Sequence, residues 1–278
     1  MKKLFLLVIL ILAGYYLYSD IPAESLTTTS LTDREEKFYR IGEKIVFELT
    51  WFGINAGWAT LEVKERLNYD GKEVIRIVST AQSNKFVSVF YSVDDRTETF
   101  IDPLERYPYR FTIRQREGRY RSDKETIFDQ ENNKAVFIKD GKSQVFDVFP
   151  KVQDALSSFY YLRTLELKVG NPVYIKIFDN GKNYEAKVEI LRKEKIDTPI
   201  GSFNTICVKP MLKTEGIFQR KGDVYIWLTD DDRKMPVMMK SSVKVGDITA
   251  TIIWSGPTPS PIPLPSGEKT EVRGGNAL

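Results

Sequence analysis

Between Glu43 and Trp254 the chain is built of short runs that alternate apolar and polar residues, cut by turn signals roughly every 8 to 12 residues, a rhythm that suits an all-β sandwich or barrel. In "EKIVFELTWFGINAGWATLEVKE", Ile45, Phe47, Leu49 and Trp51 alternate on one run and Ala59, Leu61 and Val63 on the next. The short Gly-containing loop "GINAG" between them predicts a hairpin. "NYDGKE" centres Asp-Gly in the following turn, and runs such as "TETFID", "KAVFIKDGKSQVF", "FNTICVKPML", "DVYIWLT" and "DITATIIW" continue the pattern.

Two segments break it. "NKFVSVFY", residues 84–91, reads as a short helix or a bulged strand. "PKVQDALSSFYYLRTLEL" reads as a helix: Pro150 precedes it, and Ala155, Phe159 and Leu162 recur at helical spacing. Leu156, Tyr160, Tyr161 and Leu165 widen its apolar surface over most of the circumference, so it needs burial on most sides. The expected fold is therefore mainly β: a curved antiparallel sheet or half-open barrel of roughly ten strands wrapped around one central helix.

The ends differ from the body. "MKKLFLLVILILAGYYLYSD" opens with two lysines before an uncharged apolar run from Leu4 to Tyr18, the form of an export signal. That run is short of the roughly 20 residues of a spanning helix, although Tyr15, Tyr16 and Tyr18 suit the headgroup layer. Residues 1–18 are thus a signal peptide or a signal anchor, and residues 19–37 a polar linker. Either way the body is exported to the periplasm, soluble after cleavage or associated with the inner membrane through the N-terminus. Pro257, Pro259, Pro261, Pro263 and Pro265 deny a ladder its hydrogen bonds. This makes 255–278 a Pro-rich disordered tail, or an extended peptide for an aromatic groove, and leaves 38–254 as a single β-rich domain.

Absent residue types narrow the chemistry. Without histidine, the His-dependent triads and His-ligated zinc are excluded, and one cysteine, Cys207, excludes an internal disulfide. Cys207 sits in a strand-like run and reads as a small core residue. A net charge of +3, from 41 Lys+Arg against 38 Asp+Glu, gives no case for nucleic acid. Catalytic residues, a metal and cofactors are accordingly not assigned.

Three constellations remain. Asp230, Asp231 and Asp232 lie between two strand-like runs, where carboxylates accept backbone N–H groups and shape a turn. They lack the alternate-position pattern of a calcium loop. Asp94 and Asp95 are adjacent on a strand and so point to opposite faces, one of them towards an arginine. Aromatic and methionine residues offer an apolar lining, and the candidates are Trp51, Trp58, Phe159, Tyr160, Trp227 and Met238; plain core packing is the competing account. Finally, "RYPYRFTIRQREGRYRSDK" folds into two strands turning at Glu117-Gly118. Arg110, Arg114 and Arg116 share one face of the first strand, and Arg119 and Arg121 one face of the second. The stripe is either a solvated face or a site for anionic headgroups.

"GEKIVFELTWFGINAGWATLEV", "YSVDDRTETFID", "DALSSFYYLR" and "KGDVYIWLTDDDRKMPVMMKSSVKVGDITATI" resemble an uncharacterised family of exported bacterial envelope proteins, a domain of unknown function. The likeness spans residues 38–254 and is most specific over 222–252. More distantly, the chain is similar to the periplasmic lipoprotein-carrier (LolA/LolB-like) superfamily. The resemblance implies a Gram-negative periplasm and a half-barrel around a helix, and it brings no catalytic residues. Two functions follow. One is a binding protein, not an enzyme, that holds a lipid or other apolar ligand in the sheet–helix cleft. The other is a membrane-tethered adaptor that contacts an envelope protein partner.

Overall fold

The computed structural model describes residues 39–211, 223–243 and 246–257. The expected signal or anchor (1–18), the linker (19–37) and the tail beyond 257 lie outside the described residues. The first strands are β1 (Glu43–Trp51), β2 (Ile54–Tyr69), β3 (Lys72–Ser83), β4 (Asp94–Ile101) and β5 (Pro108–Glu117). They continue with β6 (Tyr120–Asp129), β7 (Lys134–Lys139), β8 (Lys142–Asp147), β9 (Val173–Asp179) and β10 (Lys182–Thr198). The last are β11 (Gly201–Met211), β12 (Val224–Thr229), β13 (Pro236–Val243) and β14 (Gly246–Pro257). Helix α1 (Lys85–Tyr91) joins β3 to β4, and α2 (Ala155–Thr164) lies between β8 and β9.

All fourteen strands form one antiparallel sheet in the order β8-β7-β6-β5-β4-β3-β2-β1-β14-β13-β12-β11-β10-β9. Neighbours in space are neighbours in sequence, as hairpins require, except where β1 meets β14 from Glu43↔Pro257 to Trp51↔Ile248. Bulges at Val46/Phe47, Val63/Glu65 and Ile190/Arg192 add the local twist that curls so wide a sheet. One face becomes concave and apolar: Ile45, Phe47, Leu49, Val63, Ile77, Ile177, Val208, Ala250 and Ile252 belong to a single buried cluster.

The curl stops short of closure. β8 and β9 are the free edges, and residues before α2 cover the gap: Gln153 N–H donates to Lys176 O (2.8 Å) and Phe178 N–H to Gln153 O (2.8 Å). Asn183 Nδ2 donates to Asp147 O (2.7 Å), and Phe146 and Phe178 meet at 5.5 Å. Satisfying an edge this way removes a template for unwanted strand pairing.

α2 lies in the concave space, packed against β9 and β4. Asp154 caps it, accepting from Leu156 N–H (2.7 Å) and Ser157 N–H (2.8 Å), and Ser157 Oγ accepts from Asp154 N–H (2.9 Å). A buried side chain this well supplied with donors is a capping box with its carboxylate ready-made. Thr99 Oγ1 adds a fourth bond at 2.6 Å and pins the cap to β4. The end of the sheet holding this cap, the β4–β5 turn and the β12–β13 turn is called here the base. The opposite end, with α1 and the β1–β2 and β5–β6 turns, is the tip.

Two expectations are refined. Residues 84–91 resolve into the helical alternative, with Asn84 Oδ1 accepting from Val87 N–H (2.8 Å) as N-cap. The folded region extends beyond Trp254, because Ser255, Gly256 and Pro257 pair with Ile45, Lys44 and Glu43. Pairing of β13 ends at Thr251, so Pro257 borders β1 alone and its missing N–H leaves no second ladder unmet.

Candidate functional site

At the base, α2 turns its C-terminal half towards the start of β1. Tyr160 stacks on Tyr39 with ring centroids 6.3 Å apart, and the Arg163 guanidinium lies 5.1 Å from the centre of the Tyr160 ring. Arg163 is 3% exposed and pairs with the equally hidden Glu43 at 2.9 Å, while its Nε donates to Arg233 O. Among the described residues three donors in contact around the Tyr160 ring find no hydrogen-bond partner, the hydroxyls of Tyr39 and Tyr160 and Nη1 of Arg163, and Nε of the adjoining Arg233 is unmet as well. Burial pushes both phenols well above their usual range, so both remain protonated donors. Buried polar groups are paired in the great majority of cases, which makes three unmet donors in contact a notable concentration.

The six lining candidates do not converge. Phe159 and Tyr160 are packed in the core on α2, and Trp51 lies on the concave face at the tip end of β1, against the same cluster. Trp58 pairs across from Glu48 and Gln82 on the convex face. Trp227 and Met238 are cross-strand partners, also on the convex side, where the Trp227 indole donates to Glu194 Oε1 at 2.6 Å. The alternation of each strand fixes these faces, but reading them needs the register. Cys207 is fully buried opposite Trp227, and burial pushes its thiol up to about 11, as suits a packing residue.

Arg110, Arg114, Arg116 and Arg121 share the convex face of β5 and β6, where most meet a carboxylate, whereas Arg119 lies in the β5–β6 turn and not on the strand face expected for it. Arg110 pairs with Glu125 (2.5 Å), Arg114 with Asp94 (2.6 Å) and Arg116 with Asp123 through two bonds of 2.7 and 2.9 Å. A surface groove of about 770 Å³ runs here, with Arg96, Arg114, Arg116 and Arg121 among its walls. Only Arg119 and Arg121, beside the β5–β6 turn, keep no carboxylate partner among the described residues.

The acidic motifs are settled by their contacts. Asp231 Oδ1 accepts from Thr229 Oγ1 (2.7 Å) and from the N–H groups of Arg233 and Lys234 (both 3.0 Å), and Asp230 pairs with Lys193 at 2.7 Å. The triple aspartate is a turn. Asp94 and Asp95 do diverge: Asp94 takes the arginine, and Asp95 turns inward towards Glu117, which is 1% exposed. Sequence reading missed this inward pair, because the partner lies on β5, twenty-two residues along the chain. Tyr39 and Arg163 were also missed; an arginine in the last turn of an otherwise apolar helix was the available signal.

A model of the family "Protein of unknown function (DUF3108)" matches residues 46–253, nearly the whole sheet. The chain belongs to the DUF3108 family. No curated protein matches this DUF3108 chain in sequence. Among solved structures it is similar to a beta-barrel-like protein of the DUF1849 domain of unknown function from Brucella abortus, with a TM-score of 0.52 at 11% identity, covering 78% of this chain and 97% of that one. That likeness supports the curled β architecture of the DUF3108 sheet. Weaker likenesses reach a putative exported protein with a YmcC-like fold from Bacteroides fragilis (TM-score 0.34, 10% identity, 78% and 96% covered). A putative lipoprotein from Parabacteroides distasonis is comparable (TM-score 0.36, 12% identity, 78% and 96% covered).

Proposed function

We propose that this DUF3108 protein is an exported, periplasmic binding protein that holds a lipid at the sheet–helix contact, with an oxygen-bearing group of the lipid met by Tyr39, Tyr160 and Arg163. The observation that carries the reading is the cluster of three unmet, buried donors beside an apolar helix. Leaving such donors unpaired costs about 1–3 kcal/mol each, and a carboxylate, ester or phosphate oxygen would recover that. The surrounding aromatic and aliphatic side chains suit an acyl chain. Export rests on the basic n-region and apolar run at the N-terminus.

The test is uptake of a fluorescent fatty-acyl probe by the full chain, with a known lipid carrier as positive control. The Tyr160 hydroxyl makes no bond among the described residues, so Tyr160→Phe should leave stability within about 1 kcal/mol of the parent while weakening uptake several-fold. An alkylamine of equal length, which offers a donor where an acceptor is wanted, should compete poorly. No uptake by the parent protein would sink the reading and leave the tethered adaptor.

A further inference from the structure

Helix α1 faces solvent with the wrong side chains for an ordinary surface helix. Phe86, Val89 and Phe90 are 65%, 78% and 78% exposed, and their spacing places them on one helical face. Val87 and Tyr91 occupy the opposite face and pack against the core. Both faces are therefore apolar, and only one of them is covered.

The exposed face is continued by neighbouring turns. Asn84 holds α1 to β2, its N–H donating to Ala56 O (2.9 Å) and its Nδ2 to Asn55 O (2.7 Å). The β1–β2 hairpin at the same end carries Phe52 and Ile54, which are 63% and 62% exposed. Phe52 is itself held by Gly246, where any side chain would overlap its ring. On the other flank, Gly118 N–H donates to Ser92 O (2.7 Å) and Tyr91 Oη to Glu117 Oε2 (3.1 Å), so the β5–β6 turn is docked against α1.

That turn and the start of α1 supply unpaired positive charge. Among the described residues Lys85 and Arg119 form no ion pair, and the Arg121 guanidinium donates only to the carbonyls of Gly118 and Tyr120. The nearest convex-face carboxylates, Asp94 and Asp123, are already held by Arg114 and Arg116. An apolar, largely aromatic centre bordered by free cations complements a membrane surface, where aromatic rings enter the headgroup layer and cations meet phosphates. Exposed apolar side chains gathered at one end of the molecule mark an interaction site.

We propose that the tip docks on an anionic lipid surface, with Phe86, Val89, Phe90, Phe52 and Ile54 entering the interface and Lys85, Arg119 and Arg121 facing the headgroups. This contact is separate from the ligand site at the base, and either can exist without the other.

The experiment uses the full chain carrying Val89→Cys and a polarity-sensitive thiol dye. Cys207 is fully buried with a raised thiol pKa, so labelling goes to position 89. With vesicles of mixed phosphatidylcholine and phosphatidylglycerol, the dye should shift to the blue and be quenched by lipid-borne quenchers. Phosphatidylcholine alone, or high salt, should raise the lipid concentration needed for half the shift roughly a hundredfold, given about 1 kcal/mol for each of the three cations. Added Phe86→Ser and Phe90→Ser changes should abolish it yet leave fatty-acyl probe uptake intact. The same dye at Leu104→Cys, at the base, should not respond. Protein that floats with vesicles while the dye at 89 stays unshifted would overturn the proposal, because the attachment then lies elsewhere. A shift without vesicles that grows with protein concentration would also overturn it, in favour of a second copy of the chain.

Discussion

Single carboxylates show how little local sequence says about a side chain's task. Asp231 and Asp154 both accept backbone N–H groups, one exposed at the β12–β13 turn and one fully buried beneath α2. Both do structural work, and neither is surrounded by further ligands: among the described residues no group of three or more acidic or cysteine side chains is placed to hold a metal. Asp231→Ala removes three hydrogen bonds at the turn and should cost about 1 kcal/mol in chemical denaturation. Asp231→Asn and Asp232→Asn, which keep an acceptor, should each cost less than about 1 kcal/mol. Calorimetry that found tight calcium binding abolished by the two asparagine changes would overturn the turn assignment.

At the scale of elements, α1 and the tip of β5 are joined by a polar contact inside the molecule. Asp95 on β4 accepts from Arg116 N–H (2.7 Å), Glu117 stands close by, and Tyr91 at the end of α1 donates to Glu117. Burial pushes the Asp95 carboxyl up from 3.8 to about 7, and the neighbouring Glu117 and Asp94 charges add to the rise, against the Arg116 N–H bond. Across this span the native state keeps a proton that the unfolded chain has released. The Asp95 contribution to stability is therefore full below about pH 4, declines as pH rises, and is gone above about pH 7. The melting temperature should fall between about pH 4 and 7, and Asp95→Asn should flatten that slope. A variant with the parent's slope would show that the proton is held elsewhere.

The whole molecule depends on a few contacts distant in sequence. β1 is paired to β14 some two hundred residues later, and α2 is fastened to β1 and to the β12–β13 turn through Arg163, Glu43 and Arg233. Removing one partner of a buried ion pair leaves a charge without compensation, so Arg163→Met should cost roughly 3–5 kcal/mol. Adding Glu43→Leu should recover much of the loss, because the stranded carboxylate is then gone. If the double variant is no more stable than Arg163→Met by denaturation, the pair is not the fastening it resembles. The curled sheet also separates its two specialised ends: the base holds α2 and its unmet donors, and the tip holds the exposed aromatic face.

Alternation, turn residues and one apolar helical segment were enough to determine a mainly β chain curled around α2, since the period of side chains and the need to bury them are local properties. The same logic assigned the triple aspartate to a turn and sent Asp94 and Asp95 to opposite faces. What local pattern does not carry is register between strands. Trp51 and Trp58 flank one short hairpin yet lie on opposite faces, and Trp227 with Met238 lies on the convex side away from Phe159 and Tyr160. Arg110, Arg114 and Arg116 formed the expected stripe, but their neutralising carboxylates come from β4 and β6 and appear only when the ladders are paired. Helix 84–91 was ambiguous for the same reason: its two apolar faces predict burial on both sides, and only the folded sheet, which covers Val87 and Tyr91, leaves Phe86, Val89 and Phe90 in solvent.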